Sequence, residues 1–78
     1  MDAETIQNLI ETGLPGARAV VRGDDGVHFE AEVVCAAFEG KPLLARQRMV
    51  YATLGDRIKT GVIHALALPR TLTPGEAG

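Results

Sequence analysis

The chain has no serine and no tryptophan, and only one cysteine, Cys35. Without serine there is no serine nucleophile, and a single cysteine rules out an intramolecular disulfide, so the disulfide-stapled secreted class is excluded. Aromatic residues are down to Phe29, Phe38 and Tyr51, so a core must rest on Val, Leu, Ile and Ala. No apolar run is long: Thr60 to Pro69, the longest uncharged stretch, falls far short of the roughly 20 residues that span a bilayer. The start, Met1-Asp2-Ala3-Glu4-Thr5, is acidic where a signal peptide is basic. These absences lead us to expect a cytoplasmic protein with its thiol reduced, and no membrane partner.

What is present suffices for one domain over residues 1–78, with 46% of residues hydrophobic. The net charge of −2 is unevenly spread. Residues 1–32 carry Asp2, Glu4, Glu11, Asp24, Asp25, Glu30 and Glu32 against Arg18 and Arg22. Residues 41–59 carry Lys41, Arg46, Arg48, Arg57 and Lys59 against Asp56 alone. That segment is a candidate contact face for an acidic partner or nucleic acid, although a merely solvated helix face has the same composition.

Asp2 is placed to cap a first helix, Ile6, Leu9 and Ile10 form its apolar stripe, and Gly13 with Pro15-Gly16 ends it. A strand within Ala17–Gly23, the turn Asp24-Asp25-Gly26 and a strand from Val27 to Cys35 read as a hairpin. In the second strand Phe29, Ala31, Val33 and Cys35 share a face expected to be buried, and His28, Glu30, Glu32 and Val34 share the other. Cys35 therefore reads as a small buried hydrophobe. Pro42 suits the first turn of a helix running over 42–59, with Leu43, Leu44, Gln47, Val50, Tyr51, Leu54 and Ile58 as its inward stripe and Gly55 as a point of weakness. Ile63 to Leu68 reads as a third strand. Thr73-Pro74-Gly75-Glu76 carries the pattern of a helix start too short to be stable. The order is α-β-β-α-β, an α+β fold with helices on one face of a small mixed three-stranded sheet.

No catalytic constellation is legible: there is no glycine-rich phosphate loop, no HExxH, no CxxC and no nucleophile elbow. The chain is not expected to be an enzyme. The candidate metal ligands are His28, beside the Asp24-Asp25-Gly26 turn, and His64, inside the apolar run Val62–Leu66. Imidazole suits iron and zinc. A histidine in an apolar run more often bonds a backbone group, so residue type alone leaves both roles of His64 open. Two histidines cannot complete a metal site without ligands from another molecule.

The stretch Phe38-Glu39-Gly40-Lys41-Pro42-Leu43-Leu44-Ala45-Arg46-Gln47-Arg48-Met49-Val50-Tyr51 resembles the F-x-G and R-H-R-x-V-Y signature of BolA-like proteins. Ile63-His64-Ala65-Leu66 resembles that family's I-H-A-L strand, and Arg70-Thr71-Leu72-Thr73-Pro74-Gly75-Glu76 its K-T-x-T-P-x-E ending. Gln47 replaces the usual histidine and is similar to the IbaG (YrbA)-like branch. The resemblance implies a type II KH-like fold. It also implies partnership with a monothiol glutaredoxin, sharing a [2Fe-2S] cluster to which glutaredoxin and glutathione contribute thiolates. His64 is then the family's histidine ligand and His28 the nearest candidate for the second, from the loop between the first two strands. No cofactor is expected on the isolated chain, which is expected to be a monomer or weak homodimer. The resemblance equally carries a rival expectation, a DNA-binding transcriptional regulator contacting phosphates through Arg46, Arg48, Arg57 and Lys59. Only Gly40 stands near the place of the KH G-x-x-G loop.

Overall fold

Asp2 starts the first helix as its spacing predicts: its carboxylate accepts the Thr5 amide at 2.9 Å, opening α1 over Ala3–Gly13. Ile6 and Ile10 are buried and Leu9 partly so. Gly13 closes the helix where Thr53 occupies the space a side chain would need, a Cβ there lying 2.7 Å from Thr53 Cγ2. The computed structural model describes residues 1–61, 63 and 65–78. Two strands follow, β1 (Arg18–Arg22) and β2 (His28–Val34), paired antiparallel from Arg18 opposite Val34 to Arg22 opposite Glu30. Gly26 in the turn has φ 74°, a backbone conformation that glycine adopts without a Cβ clash.

The chain then crosses over to β3 (Ala65–Leu72), which lies parallel to β2, so the sheet order is β1-β2-β3. A parallel neighbour requires such a crossover, and here it contains a 3-10 turn (Ala36–Phe38) and α2 (Leu43–Ala52). The buried residues of α1, the strands, Phe38, Val50, Leu54 and Ile63 form one core. Phe29, Ala31, Val33 and Cys35 all face it, as the alternation predicts. The opposite face of the sheet carries exposed Arg18, Val20, Arg22, His28, Glu30, Ala67 and Arg70. There Arg22 reaches Glu32 at 2.8 Å, an ion pair whose exposure keeps its contribution small. At the β1 edge, Glu11 of α1 accepts the Ala19 amide at 3.0 Å and so occupies a donor that an edge strand otherwise leaves open.

The α+β class and element order are as the sequence predicts, but five details differ. The second helix stops at Ala52 rather than at residue 59. Thr53 donates both its amide (3.0 Å) and its hydroxyl (2.6 Å) to the Val50 carbonyl, and the Leu54 amide turns back to Tyr51 at 3.1 Å. These bonds tighten the last turn, and Gly55 at φ 58° ends it. Pro42 sits at the N-cap, one residue before the helix. Within the expected inward stripe, Val50 and Leu54 are buried, but Leu43 and Leu44 are 62% and 57% exposed. The third strand begins at Ala65 and runs to Leu72 instead of spanning 63–68. It survives Pro69 because β3 is an edge strand and the register shifts there: Glu30 faces Ala67, and Glu32 faces Arg70. The extra residue forms a bulge that accommodates a proline without a ladder donor. Finally, the terminal turn does form, as α3 (Pro74–Ala77), with Thr73 and Glu76 in a reciprocal capping box.

Candidate functional site

The Asp24–Gly26 turn delivers His28 to the sheet's open face, with 72% of its side chain exposed. Asp25 organises that corner. One carboxylate oxygen, Oδ1, accepts the backbone amides of Val27 and His28, both at 2.8 Å. The other, Oδ2, lies 2.9 Å from Nδ1 of His28. The His28 ring and these two amides hold the Asp25 carboxyl well below the usual carboxylate range. An ionised carboxylate only accepts hydrogen bonds, so Nδ1 is the nitrogen that donates here, and in a neutral ring the lone pair then falls on Nε2. An open depression of about 520 Å³ adjoins this corner, lined among others by Arg22, Asp24, His28 and Glu30.

His64, the other candidate ligand, lies outside the described residues. The residue after it in the chain, Ala65, begins β3 directly opposite His28, and its amide donates to the Val27 carbonyl at 3.3 Å. Among the described residues, no three His, Cys, Asp or Glu side chains gather where they could hold a metal ion. Cys35 is buried in the core and takes no part in the corner. His28 fits the role of one ligand, since its ring is accessible and its outer nitrogen makes no hydrogen bond among the described residues. A metal held by the described residues would draw its other ligands from elsewhere.

The five cations expected to form one contact face are not equivalent. Arg46 is turned into the fold. Its guanidinium donates to the Lys41 carbonyl (2.8 Å), the Thr71 carbonyl (2.9 Å) and Glu76 Oε1 (2.7 Å), and it lies 6.0 Å from the Phe38 ring centroid. Only 15% of its side chain is exposed, so it clasps α2 to the end of β3 and to α3 rather than offering charge to a partner. Arg57 donates back to the Leu54 carbonyl at 3.0 Å from the turns that follow α2. Lys41, Arg48 and Lys59 are exposed, but Lys59 also lies in those turns and not on the helix. The single basic helix face is thereby divided. What the charge pattern missed is apolar: exposed Leu43, Leu44 and half-exposed Tyr51 lie among these cations. Tyr51 donates its hydroxyl to the Leu66 carbonyl at 2.8 Å and walls a cleft of about 370 Å³ with Ile58, Lys59 and Leu66. The charge pattern also missed Asp25, whose only trace in the sequence is a carboxylate three residues before a histidine across a glycine turn.

The Arg46 clasp has a pH signature. The Thr73 amide and the Arg46 guanidinium hold the Glu76 carboxyl below its ordinary value of 4.5. A carboxyl whose folded pKa is depressed adds stability above its unfolded pKa and loses it as pH falls through the folded one. In urea titrations, the wild type is expected to exceed Glu76→Gln in midpoint near neutral pH, with the two curves converging on acidification. A gap independent of pH would show that the Glu76 charge is not what secures the clasp.

The model of the BolA-like protein family matches residues 13–76. A protein of Acinetobacter guillouiae from the rpoN-murA intergenic region is 34% identical over 76 residues, covering 97% of this chain and 89% of its own length. Protein BOLA2 of Arabidopsis thaliana is 48% identical over 54 residues, which are 69% of this chain and 56% of that protein. Among solved structures, a bolA protein homologue from Coxiella burnetii superposes with a TM-score of 0.87 at 45% identity, covering 99% of this chain and 96% of that one.

Proposed function

This chain belongs to the BolA-like family, and on that premise we propose that it is a non-enzymatic partner of a monothiol glutaredoxin, with which it shares a [2Fe-2S] cluster in iron homeostasis or cluster trafficking. The observation that carries the reading is the corner at His28: an accessible imidazole, held through Nδ1 by Asp25, in the strand position facing Ala65, the residue after His64. His64 and His28 are the proposed ligands. In this reading, thiolates of glutaredoxin and glutathione complete the coordination. Imidazole in place of thiolate removes negative charge from such a cluster and raises its reduction potential. Lys41 and Arg48, with the exposed Leu43 and Leu44 between them, are the proposed docking contacts. The nucleic-acid reading has weaker support, because Arg46 is bound internally and Arg57 and Lys59 are off the helix.

The test is visible absorption and circular dichroism of a monothiol glutaredoxin reconstituted anaerobically with glutathione, iron and sulfide. Adding the wild-type chain is expected to change the cluster spectrum, and His64→Ala is expected to fail to reproduce the change. If the wild type leaves the spectrum unaltered, the shared-cluster function is wrong. If His64→Ala matches the wild type, His64 is not a ligand.

A further inference from the structure

We infer that Asp25 is a positioning residue that sets the tautomer of His28 and so presents Nε2 as its metal-facing nitrogen. This inference rests on the reading of His28 as a ligand of the shared cluster. A neutral imidazole has one N–H, and the hydrogen bond made by one ring nitrogen decides which nitrogen is left to bind. Here Nδ1 is 2.9 Å from Asp25 Oδ2, so the ligating lone pair falls on Nε2, on the far side of the ring from Asp25.

The carboxylate is unusually well held for an exposed loop. Oδ1 is fixed by two amides at 2.8 Å, which orients Oδ2 towards the ring. The positive φ of Gly26 lets the chain fold back so that the carboxylate three residues upstream reaches His28. A histidine ring that is 72% exposed otherwise samples several rotamers, and holding one of them in advance lowers the ordering cost of binding. Metal-binding histidines commonly have such a carboxylate behind them, and losing it typically costs about 10–100-fold in metal affinity. Asp24, although adjacent, makes no side-chain hydrogen bond among the described residues.

Asp25→Asn separates positioning from loop structure. The asparagine oxygen can still accept the Val27 and His28 amides, but its NH₂ group then faces Nδ1 and donates to it. The ring proton is thereby driven to Nε2, where it blocks the outer lone pair. The isolated wild-type and Asp25→Asn proteins are compared by long-range ¹H–¹⁵N NMR of the imidazole, at a pH where the ring is neutral. Thermal melts check that the loop change leaves the fold intact. Both proteins, with His28→Ala, are then titrated into the reconstituted glutaredoxin.

The expected result is Nδ1–H in the wild type and Nε2–H in Asp25→Asn, with about 10–100-fold weaker formation of the mixed cluster species by the variant. An unchanged tautomer in Asp25→Asn overturns the inference. So does an inverted tautomer with wild-type affinity, provided His28→Ala is impaired; the ligand role of His28 then stands without Asp25. If His28→Ala itself behaves as wild type, the ligand role fails and the positioning role falls with it, whatever the tautomer.

Discussion

Replacing Phe38 with alanine is expected to cost about 3–5 kcal/mol in urea denaturation, the usual range for removing a buried aromatic. Phe38 is fully buried, one of only three aromatic residues in the chain. It stands at the end of the 3-10 turn, where its amide bonds the Cys35 carbonyl at 3.1 Å and its own carbonyl accepts the Lys41 amide at 3.0 Å. Its ring therefore anchors the start of the crossover between β2 and β3. A domain of this length has roughly 4–12 kcal/mol of stability in total, so this loss removes a large fraction of it. Phe38→Leu should recover much of the loss, because it keeps apolar volume at the site. A cost below about 1 kcal/mol for the alanine variant would mean that the crossover repacks without the ring, and Phe38 would not be its anchor.

Arg46→Ala is expected to lower stability by about 2 kcal/mol, counting only its bonds to the Lys41 and Thr71 carbonyls, since hydrogen bonds from a charged donor are among the stronger ones. Arg46→Lys should rescue little. A lysine ammonium lacks the planar fork that bonds two carbonyls and a carboxylate at once. Thermal melts of Arg46→Ala and Arg48→Ala provide the contrast: the first should fall by several degrees and the second, at an exposed position, should barely move. The opposite pattern, a stable Arg46→Ala protein with impaired partner or nucleic-acid binding, would restore Arg46 to the contact face that charge alone predicted.

These two residues mark the border between local and tertiary information. The Asp2 cap, the glycine turn before β2, the two-residue alternation of Phe29, Ala31, Val33 and Cys35, and the Thr73–Glu76 capping box were legible in the sequence. Each depends on residues within a few positions of one another, whose hydrogen bonds or side-chain period are set by local geometry. The same locality misled the reading of the second helix. Leu43 and Leu44 fit the apolar spacing, yet they are exposed, while Val50 and Leu54 of the same expected stripe reach the core beside Phe38 and Ile63. Residues 53–59 have the composition of a helix, but Thr53 binds the carbonyl that would continue it and packs against Gly13 of another helix.

The site divides along the same line. The sequence marked His28 and His64 as the candidate nitrogen donors, and nothing in the residue types of the turn distinguished Asp24 from Asp25. Only the folded turn does so, by aiming the Asp25 carboxylate at two amides and a ring nitrogen. For Arg46, a charge on a helix gives no information about what lies opposite it. Thr71 and Glu76 are 25 and 30 positions away in the chain, and the parallel crossover brings their oxygens to the guanidinium. The sequence by itself therefore determined the fold class, the turns and the inward face of β2, and it nominated His28 and His64 as candidate nitrogen donors. The tertiary structure decided which cations are free, where α2 ends and how His28 is oriented, because those depend on groups that only long-range packing brings together.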